Sequence, residues 1–128
     1  MEKIPYVKTL KAVYDGAAIL YVMDNTVLSG TWLFVHHLTV EDVTTFFNLI
    51  RVGQGTDEFD VHWWEDRPVP AAGVLYEFKE MFFVPEGHRI IVEFSGTAAA
   101  DRLFVKVDGY TIEKMITGRR DRPRPREA

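Results

Sequence analysis

The sequence comprises 128 residues with a formal net charge of −4; 47% of them are hydrophobic, 13% are aromatic and none is cysteine. This length is typical of a single domain with an enclosed core, and the aromatic content argues against a wholly disordered chain. The lack of cysteine excludes disulfides, thiolate metal sites and cysteine nucleophiles. Because neither a leader nor an apolar stretch of about 18 residues is present, we expect no secretion signal and no membrane span.

Runs of alternating apolar and polar residues predict strands along most of the chain. The eight predicted strands are Tyr6–Tyr14, Ala17–Met23, Thr31–Val40, Thr45–Val52, Phe59–Trp64, Val74–Val84, Arg89–Ser95 and Arg102–Ile112. Turn signals separate these runs, and no helical pattern longer than one turn lies between them. The spacing predicts an all-β protein with a single antiparallel β-sandwich of about eight strands, jelly-roll-like, and an up-and-down barrel is the alternative.

Three turn signals predict how neighbouring strands are joined. Asp15-Gly16 is a strong signal for a two-residue hairpin turn, because type I′ turns need positive φ angles. Gly53-Gln54-Gly55 predicts the turn that ends the fourth strand. Pro85 fits position i+1 and Gly87 position i+3 of a type I turn, so Val74–Val84 and Arg89–Ser95 are expected to pair as an antiparallel hairpin.

The alternation within two predicted strands puts apolar residues on both sheet faces. In Thr31–Val40, Leu33 and Val35 lie opposite the other apolar side chains, and in Thr45–Val52 the same holds for Phe47 and Leu49. Sandwich strands usually keep one face polar, so something must cover the second face. A homo-oligomer interface and a long loop of the same chain are both open explanations, and these four residues are interface candidates.

The histidines do not form a recognisable metal or catalytic site. His36 and His37 are adjacent, so in a regular strand they point to opposite faces, and His36 is expected in the core between Phe34 and Leu38. The sequence has no His-x-His pair, no Gly-x-Ser-x-Gly elbow and no phosphate-binding glycine loop. We therefore expect no metal, no cofactor, no catalytic residue and no enzymatic activity.

The segment around Trp64 carries the alternative functional interpretation. Alternation places Phe59, Val61 and Trp63 inward and leaves Trp64 outward beside Asp60 and His62. An exposed tryptophan next to carboxylates could stack on a sugar ring, anchor a protein interface, or be covered by the Pro68–Pro70 loop. Asp60, His62 and Trp64 are thus carbohydrate-binding candidates, and Trp64 is also an interface candidate.

The last ten residues differ from the rest of the chain in charge. This segment has a local charge of +3, so the remainder carries −4 − 3 = −7, and an acidic body is a poor nucleic-acid binder. We expect a β-sandwich domain over residues 1–117 and an Arg/Pro-rich disordered tail over 118–128. The arginines that could dock on an acidic particle surface are Arg119, Arg120, Arg122, Arg124 and Arg126.

Three stretches of the sequence carry a resemblance in their turns and hydrophobic residues. They are Thr31–Thr39 with the following Glu41-Asp42-Val43-Thr44, Val84–Gly96 with its Pro-Glu-Gly turn, and Leu103–Ile112. Over about 80 residues the chain resembles the small β-sandwich accessory proteins of tailed-bacteriophage particles. The resemblance implies a non-enzymatic virion structural protein, serving in capsid decoration, head completion or the tail.

The same resemblance implies the partners and the location. We expect the chain to contact copies of itself as a homo-oligomer, for which a trimer is one arrangement, and to contact a major capsid or tail protein. We expect no nucleic-acid and no membrane partner, folding in the host cytoplasm, and residence in the virion. The alternative is a carbohydrate-binding or host-surface-contact β-sandwich module.

Overall fold

The computed structural model describes residues 2–13, 19–42, 49–68, 76–96 and 102–113. These ranges contain nine strands and no helix, so nothing in them is a helix long and apolar enough to cross a membrane. In chain order the strands are β1 (Ile4–Val13), β2 (Ile19–Met23), β3 (Thr31–Asp42), β4 (Leu49–Asp57), β5 (Asp60–Pro68), β6 (Tyr76–Phe78), β7 (Phe82–Val84), β8 (Arg89–Ser95) and β9 (Arg102–Glu113).

The strands form two antiparallel sheets packed face to face. The first sheet has the order β1-β9-β3-β6, with β7 pairing the other half of β3, and the second has the order β2-β8-β4-β5. Of the connections between consecutive strands, only β4–β5 and β6–β7 stay within one sheet. If β6 and β7 are counted as one interrupted strand, this is the strand order of a jelly roll. The predicted all-β sandwich is thus confirmed, with nine separate strands instead of eight.

The two hairpins predicted from turn signals are wrong. β1 and β2 belong to different sheets, and so do β7 and β8. The Pro85 turn does form, but His88 N–H donates to the Pro85 carbonyl over 3.1 Å and Gly87 has φ of 81°. Pro85 is therefore position i and Gly87 position i+2, as in a type II turn, which here carries the chain from one sheet to the other.

The β4–β5 hairpin turns later than the sequence predicts. β4 continues through Gly53-Gln54-Gly55 as far as Asp57, and the turn lies at Glu58-Phe59. A Cβ atom at Gly55 would lie 1.9 Å from the Asp60 carbonyl oxygen, so the glycines allow close strand approach instead of a turn. The predicted strand Val74–Val84 is interrupted at Lys79–Met81.

The core consists of the facing side chains of both sheets. Alternation in the sequence of β9 predicts Leu103, Val105 and Val107 on one inward face, and all three are fully buried. The other buried core residues are Val22, Leu33, Val35, Leu38, Val40, Ile50, Val52, Phe78, Phe82, Val84, Ile90, Val92 and Phe94. Branched aliphatic and aromatic residues predominate, as expected for two pleated surfaces packed together.

A β-bulge in β3 changes which of its residues face the core. Against β9, Val35 pairs with Gly109 and His37 with Asp108, so His36 is an extra residue. The bulge reverses the alternation: Leu33 and Val35 face inward before it, and Leu38 and Val40 face inward after it. The predicted outward position of Leu33 and Val35 is therefore wrong, because regular alternation does not hold along the strand.

A buried aspartate connects the first sheet to the segment after β2. Asp24 is 3% exposed and accepts hydrogen bonds from Tyr6 Oη at 2.5 Å, Lys8 Nζ at 2.6 Å and Asn25 N–H at 2.7 Å. Its own N–H donates to the Ile90 carbonyl of β8. The edge strand β1 is thus tied to the segment that follows β2, the edge strand of the second sheet. Both carboxylate oxygens and the N–H of Asp24 have hydrogen-bond partners.

Because of the Tyr6 hydroxyl, we expect the folded protein to become less stable at alkaline pH. Burial, with the hydrogen bond to Asp24 and the charge of Asp24, raises the pKa of Tyr6 above its ordinary value of 10.0. Above about pH 10 the unfolded chain loses this proton while the folded chain keeps it, so the free energy of unfolding falls as pH rises. In urea titrations between pH 9 and 11, Tyr6→Phe should show a shallower decline than the parent protein. The half-buried Tyr110, changed to Phe, is the control, and an equal slope in both variants would contradict the expectation.

Candidate binding face on the first sheet

Aromatic side chains line up across three strands on the outer face of the first sheet. Phe34 of β3 pairs with Tyr110 of β9 on one side and with Phe83 of β7 on the other. The Phe34 and Tyr110 rings are stacked with centroids 5.3 Å apart, and Phe83 lies 5.1 Å from Phe34. Because cross-strand neighbours are held at close spacing by the sheet, these rings are ordered by the backbone pairing.

The row of rings is extended by Trp32 at one end and meets Lys3 at the other. The Trp32 ring meets Phe83 edge-on at 6.0 Å, and Lys3 Nζ lies 4.7 Å above the centre of the Tyr110 ring. Trp32 is 36% and Phe83 41% exposed, which is high for aromatic residues on a sheet. We call Trp32, Phe34, Phe83 and Tyr110 the aromatic band.

A polar cavity of about 420 Å³ lies on the same face, next to the aromatic band along β9. Residues of four strands line it, and most of them are polar or charged. The lining residues are Thr9 of β1, His37, Thr39 and Glu41 of β3, Glu77 of β6, and Phe104, Lys106 and Asp108 of β9. The cavity therefore holds hydrogen-bond donors and acceptors around one aromatic ring, and we call it the polar cavity.

Carboxylates and imidazoles approach one another along this face. His37 Nε2 lies 3.6 Å from Glu77 Oε2, and His36 Nε2 lies 3.8 Å from Asp108 Oδ1. A hydrogen bond from Lys79 to Glu77, with the charges of Lys79 and His37, lowers the pKa of Glu77 below its usual value. Glu77 is thus ionised near neutral pH and acts as an acceptor.

The bulge at His36 explains the arrangement of both histidines. His36 is exposed, and the prediction that it is a core residue is wrong, because the bulge removes it from the regular alternation. The His36 ring approaches Asp108 and the His37 ring approaches Glu77, both outside the core. Across the described ranges, no three histidine or carboxylate side chains are grouped so that they could hold a metal ion.

Trp63 and Trp64 lie on the opposite sheet faces from those predicted. The Trp64 ring stacks on buried Phe82 with centroids 4.2 Å apart and 2° between the planes, and it packs against the core. Trp63 instead lies on the outer face of the second sheet, where the Arg51 guanidinium is 4.4 Å from its centre. Phe59, predicted inward with Trp63, is 89% exposed, so the regular alternation of this segment faces the opposite side from the one predicted. Val52 lies opposite Glu65 and Gly53 opposite Trp63, so Trp64 is an extra residue at a register shift, and its ring turns to the core.

The other predicted site residues are separated in the structure. Asp60 and His62 are exposed near the β4–β5 turn, and Asp60 Oδ2 accepts a hydrogen bond from Thr56. Leu49 is half-buried on the outer face of the second sheet, so its interface role stays a prediction. Phe47 and the tail arginines (Arg119, Arg120, Arg122, Arg124 and Arg126) lie outside the described residues.

Charged side chains at the centre of the second sheet's outer face pair with each other. Glu93 is 2% exposed and accepts hydrogen bonds from the Arg51 guanidinium, the shorter at 2.8 Å. Burial, with the nearby charge of Glu93, raises the pKa of Tyr21 on the same face. Ile91 is fully buried there as well. The central ion pair of this face has its partners within the chain, whereas the first sheet presents the exposed rings of Trp32 and Phe83. The first sheet is therefore the better candidate for external contacts.

Comparison with known proteins identifies no family for this chain. No protein-family model matches the sequence, and no curated protein matches it. A chain of the disulfide-linked pili of Bacillus endospore appendages is 15% identical, with a TM-score of 0.47, 88% of this chain covered and 93% of that one. The N-terminal cellulose-binding domain of Cellulomonas fimi β-1,4-glucanase C is 14% identical, with a TM-score of 0.43 and coverage of 88% and 89%.

A third structure is a chain of infectious bursal disease virus, Gx strain. It is 15% identical, with a TM-score of 0.38, and the matched region covers 85% of this chain but 32% of the viral chain. At these identities and TM-scores, the similarities carry no information on what this chain binds.

Proposed function

We propose that this chain is a non-enzymatic structural module of a tailed-phage particle, which acts by binding copies of itself and a larger particle surface. The observation that carries the proposal is the aromatic band, where four neighbouring rings stand on one sheet face and two of them are more than a third exposed. Aromatic residues are enriched at protein interfaces and contribute much of their binding energy. The resemblance of Thr31–Thr39, Val84–Gly96 and Leu103–Ile112 to phage accessory proteins supports the same role.

The aromatic band is suited to contact with a second copy. Its rings are already held by cross-strand pairing, so little side-chain freedom remains to be lost on association. Met81, two residues before Phe83, is a further 55% exposed apolar side chain. Covering the exposed part of a ring such as Phe83 contributes on the order of 1 kcal/mol in each copy. Several such contacts, repeated by symmetry, give a stable homo-oligomer, of which a trimer is one form.

The charge of the C-terminal tail indicates the larger particle surface that the chain would bind. A tail over residues 118–128 with five arginines suits the acidic surface of a major capsid or tail protein, and several tails on one oligomer would add avidity. Under this proposal residues 1–117 form the sandwich, the chain resides in the virion, and it contacts neither nucleic acid nor membrane.

The oligomer is tested by light scattering coupled to size exclusion. We expect the parent chain at micromolar concentration to have a mass of two or more protomers, and the Trp32→Ser/Phe83→Ser double variant to run as a monomer. Phe59→Ser is the matched control, because Phe59 is 89% exposed but lies in the β4–β5 turn away from the band. A parent chain that is monomeric would contradict the self-association.

Docking on a particle is measured in the same preparation by co-sedimentation with purified phage particles. Deletion of Gly118–Ala128 should abolish co-sedimentation and leave the oligomer intact. Deletion of the N-terminal residues is not a usable comparison, since β1 supplies one of the paired strands of the first sheet. Undiminished co-sedimentation of the shortened chain would contradict the role of the tail.

The carbohydrate-binding alternative is weaker at the residues predicted for it. One face of the half-buried Trp64 ring is occupied by Phe82 and the ring packs against the core, so it does not project outward beside Asp60 and His62 as predicted. A stacking surface beside hydrogen-bonding groups exists instead at another place on the molecule.

A further inference from the structure

The polar cavity differs from the aromatic band in what it can bind. It presents three carboxylates as acceptors and Lys106, Thr9 and Thr39 as donors around a volume of about 420 Å³. A ligand that satisfies such a lining must both donate and accept hydrogen bonds at several points. An apolar peptide segment would displace water from these polar groups and offer them no hydrogen bond in return, which is unfavourable.

Phe104 supplies the apolar element of this site. Its half-buried ring lines the polar cavity and also a second cavity of about 310 Å³, which is bordered by Lys11, Ala12, Val13 and Arg102. The Phe104 ring therefore lies between the two cavities on the outer face of the first sheet. Stacking of a sugar ring on an aromatic side chain uses this kind of surface, apolar in the middle and polar at its rim.

Charge narrows the class of ligand. The polar cavity holds three carboxylates and Lys106, and the second cavity adds Lys11 and Arg102. The formal charges of these side chains balance, so the face as a whole has no excess charge that would attract an ionic ligand. The described residues hold no group of three histidine or carboxylate side chains suited to a metal ion. A neutral, polyhydroxylated ligand fits the balance of donors and acceptors best.

The length of the face fits more than one sugar ring. The lining residues follow β9 from Arg102 to Asp108, about 20 Å at the usual strand rise. The cavities are open to one side and the strands beneath them are fixed by pairing with β1 and β3. A preformed surface of this kind requires little rearrangement on binding.

We propose that the polar cavity binds a short neutral oligosaccharide, with a sugar ring stacked on Phe104 and its hydroxyl groups bonded to Asp108, Glu41 and Lys106. This site goes beyond the structural role proposed above, since it gives the assembled protein a contact with glycans. It uses residues of the sheet face next to the aromatic band and none of the band itself.

The experiment is a printed array of neutral and acidic oligosaccharides probed with the full chain, followed by calorimetric titration with the neutral glycan that gives the strongest signal. We expect saturable binding, and a loss of affinity of about tenfold or more in Phe104→Ala. Phe59→Ala, which removes an equally large ring at the β4–β5 turn, should bind as the parent chain does.

A second variant guards against a folding defect. Lys106 is exposed, so Lys106→Ala should keep the parent melting temperature and still weaken binding severalfold. If Phe104→Ala has a lower melting temperature than the parent chain, the glycan affinity of Lys106→Ala is used to test the proposal instead. Absence of binding to every neutral glycan, binding of acidic glycans alone, or unchanged affinity in Lys106→Ala would overturn the proposal.

A synthetic peptide of residues 118–128 is the competing probe, because an acidic cavity could also accept a basic segment. Binding of this peptide without binding of any neutral glycan would overturn the proposal. The result is independent of oligomeric state: a monomeric chain that binds glycan refutes self-association alone, and an oligomer that binds none refutes this site alone.

Discussion

Replacing Asp24 with alanine should lower the free energy of unfolding by about 3 kcal/mol, the low end of what removal of one partner from a buried ion pair does. Asp24 accepts hydrogen bonds from a lysine, a tyrosine and a backbone N–H while only 3% exposed. The variant leaves the Tyr6 hydroxyl and the Lys8 ammonium without their acceptor. We choose the low end because the Lys8 side chain is 33% exposed and water can replace part of the lost interaction.

The measurement is urea denaturation monitored by tryptophan fluorescence at pH 7. Asp66→Ala, an exposed aspartate on β5, should change stability by about 0.5 kcal/mol or less. Adding Lys8→Met to Asp24→Ala should recover part of the loss, because the unpaired ammonium is then gone. If Asp24→Ala and Asp66→Ala unfold at the same urea concentration, the cluster is not important for stability.

Replacing Gly109 with alanine should lower the free energy of unfolding by about 2–3 kcal/mol, as expected when an atom is forced into a filled space. A Cβ atom at Gly109 would lie 2.1 Å from the Phe34 carbonyl oxygen and 2.9 Å from the Val35 Cα. Both are backbone atoms of β3, and β9 is held between β1 and β3, so neither strand can move away easily.

The same urea titration measures the Gly109 effect. Lys106→Ala is the control on the same strand, since its side chain is exposed and its removal affects no backbone contact. Gly55→Ala offers a second comparison: its clash, 1.9 Å from the Asp60 carbonyl oxygen, involves the edge strand β5, which can shift more freely. A Gly109→Ala variant as stable as Lys106→Ala would show that the β3 bulge accommodates the added methyl group.

Alternation in the sequence predicts most of the architecture and fails where strands are irregular. In Arg102–Ile112 the predicted inward residues are buried, because β9 pairs on both sides without interruption at these positions. In β3 one extra residue, His36, inverts the pattern, and Leu33 and Val35 enter the core. A bulge gives only a weak local signal, here the single glycine at position 109 opposite it.

Connections between the sheets were harder to foresee than the strands. The Pro85-Glu86-Gly87 turn is visible in the sequence, but nothing in it distinguishes a hairpin from a crossing between sheets. The polar cavity could not be predicted for a related reason. Its lining comes from β1, β3, β6 and β9, and only the pairing of distant strands brings these side chains together.

The position of β9 bears on how the protein is synthesised. β1 and β3 do not pair with each other, and both depend on β9 as the strand between them. A ribosome must therefore translate as far as Glu113 before the first sheet can close, and until then the ten residues of Ile4–Val13 emerge without their partner. Such late closure favours slow folding and leaves a strand edge exposed during synthesis.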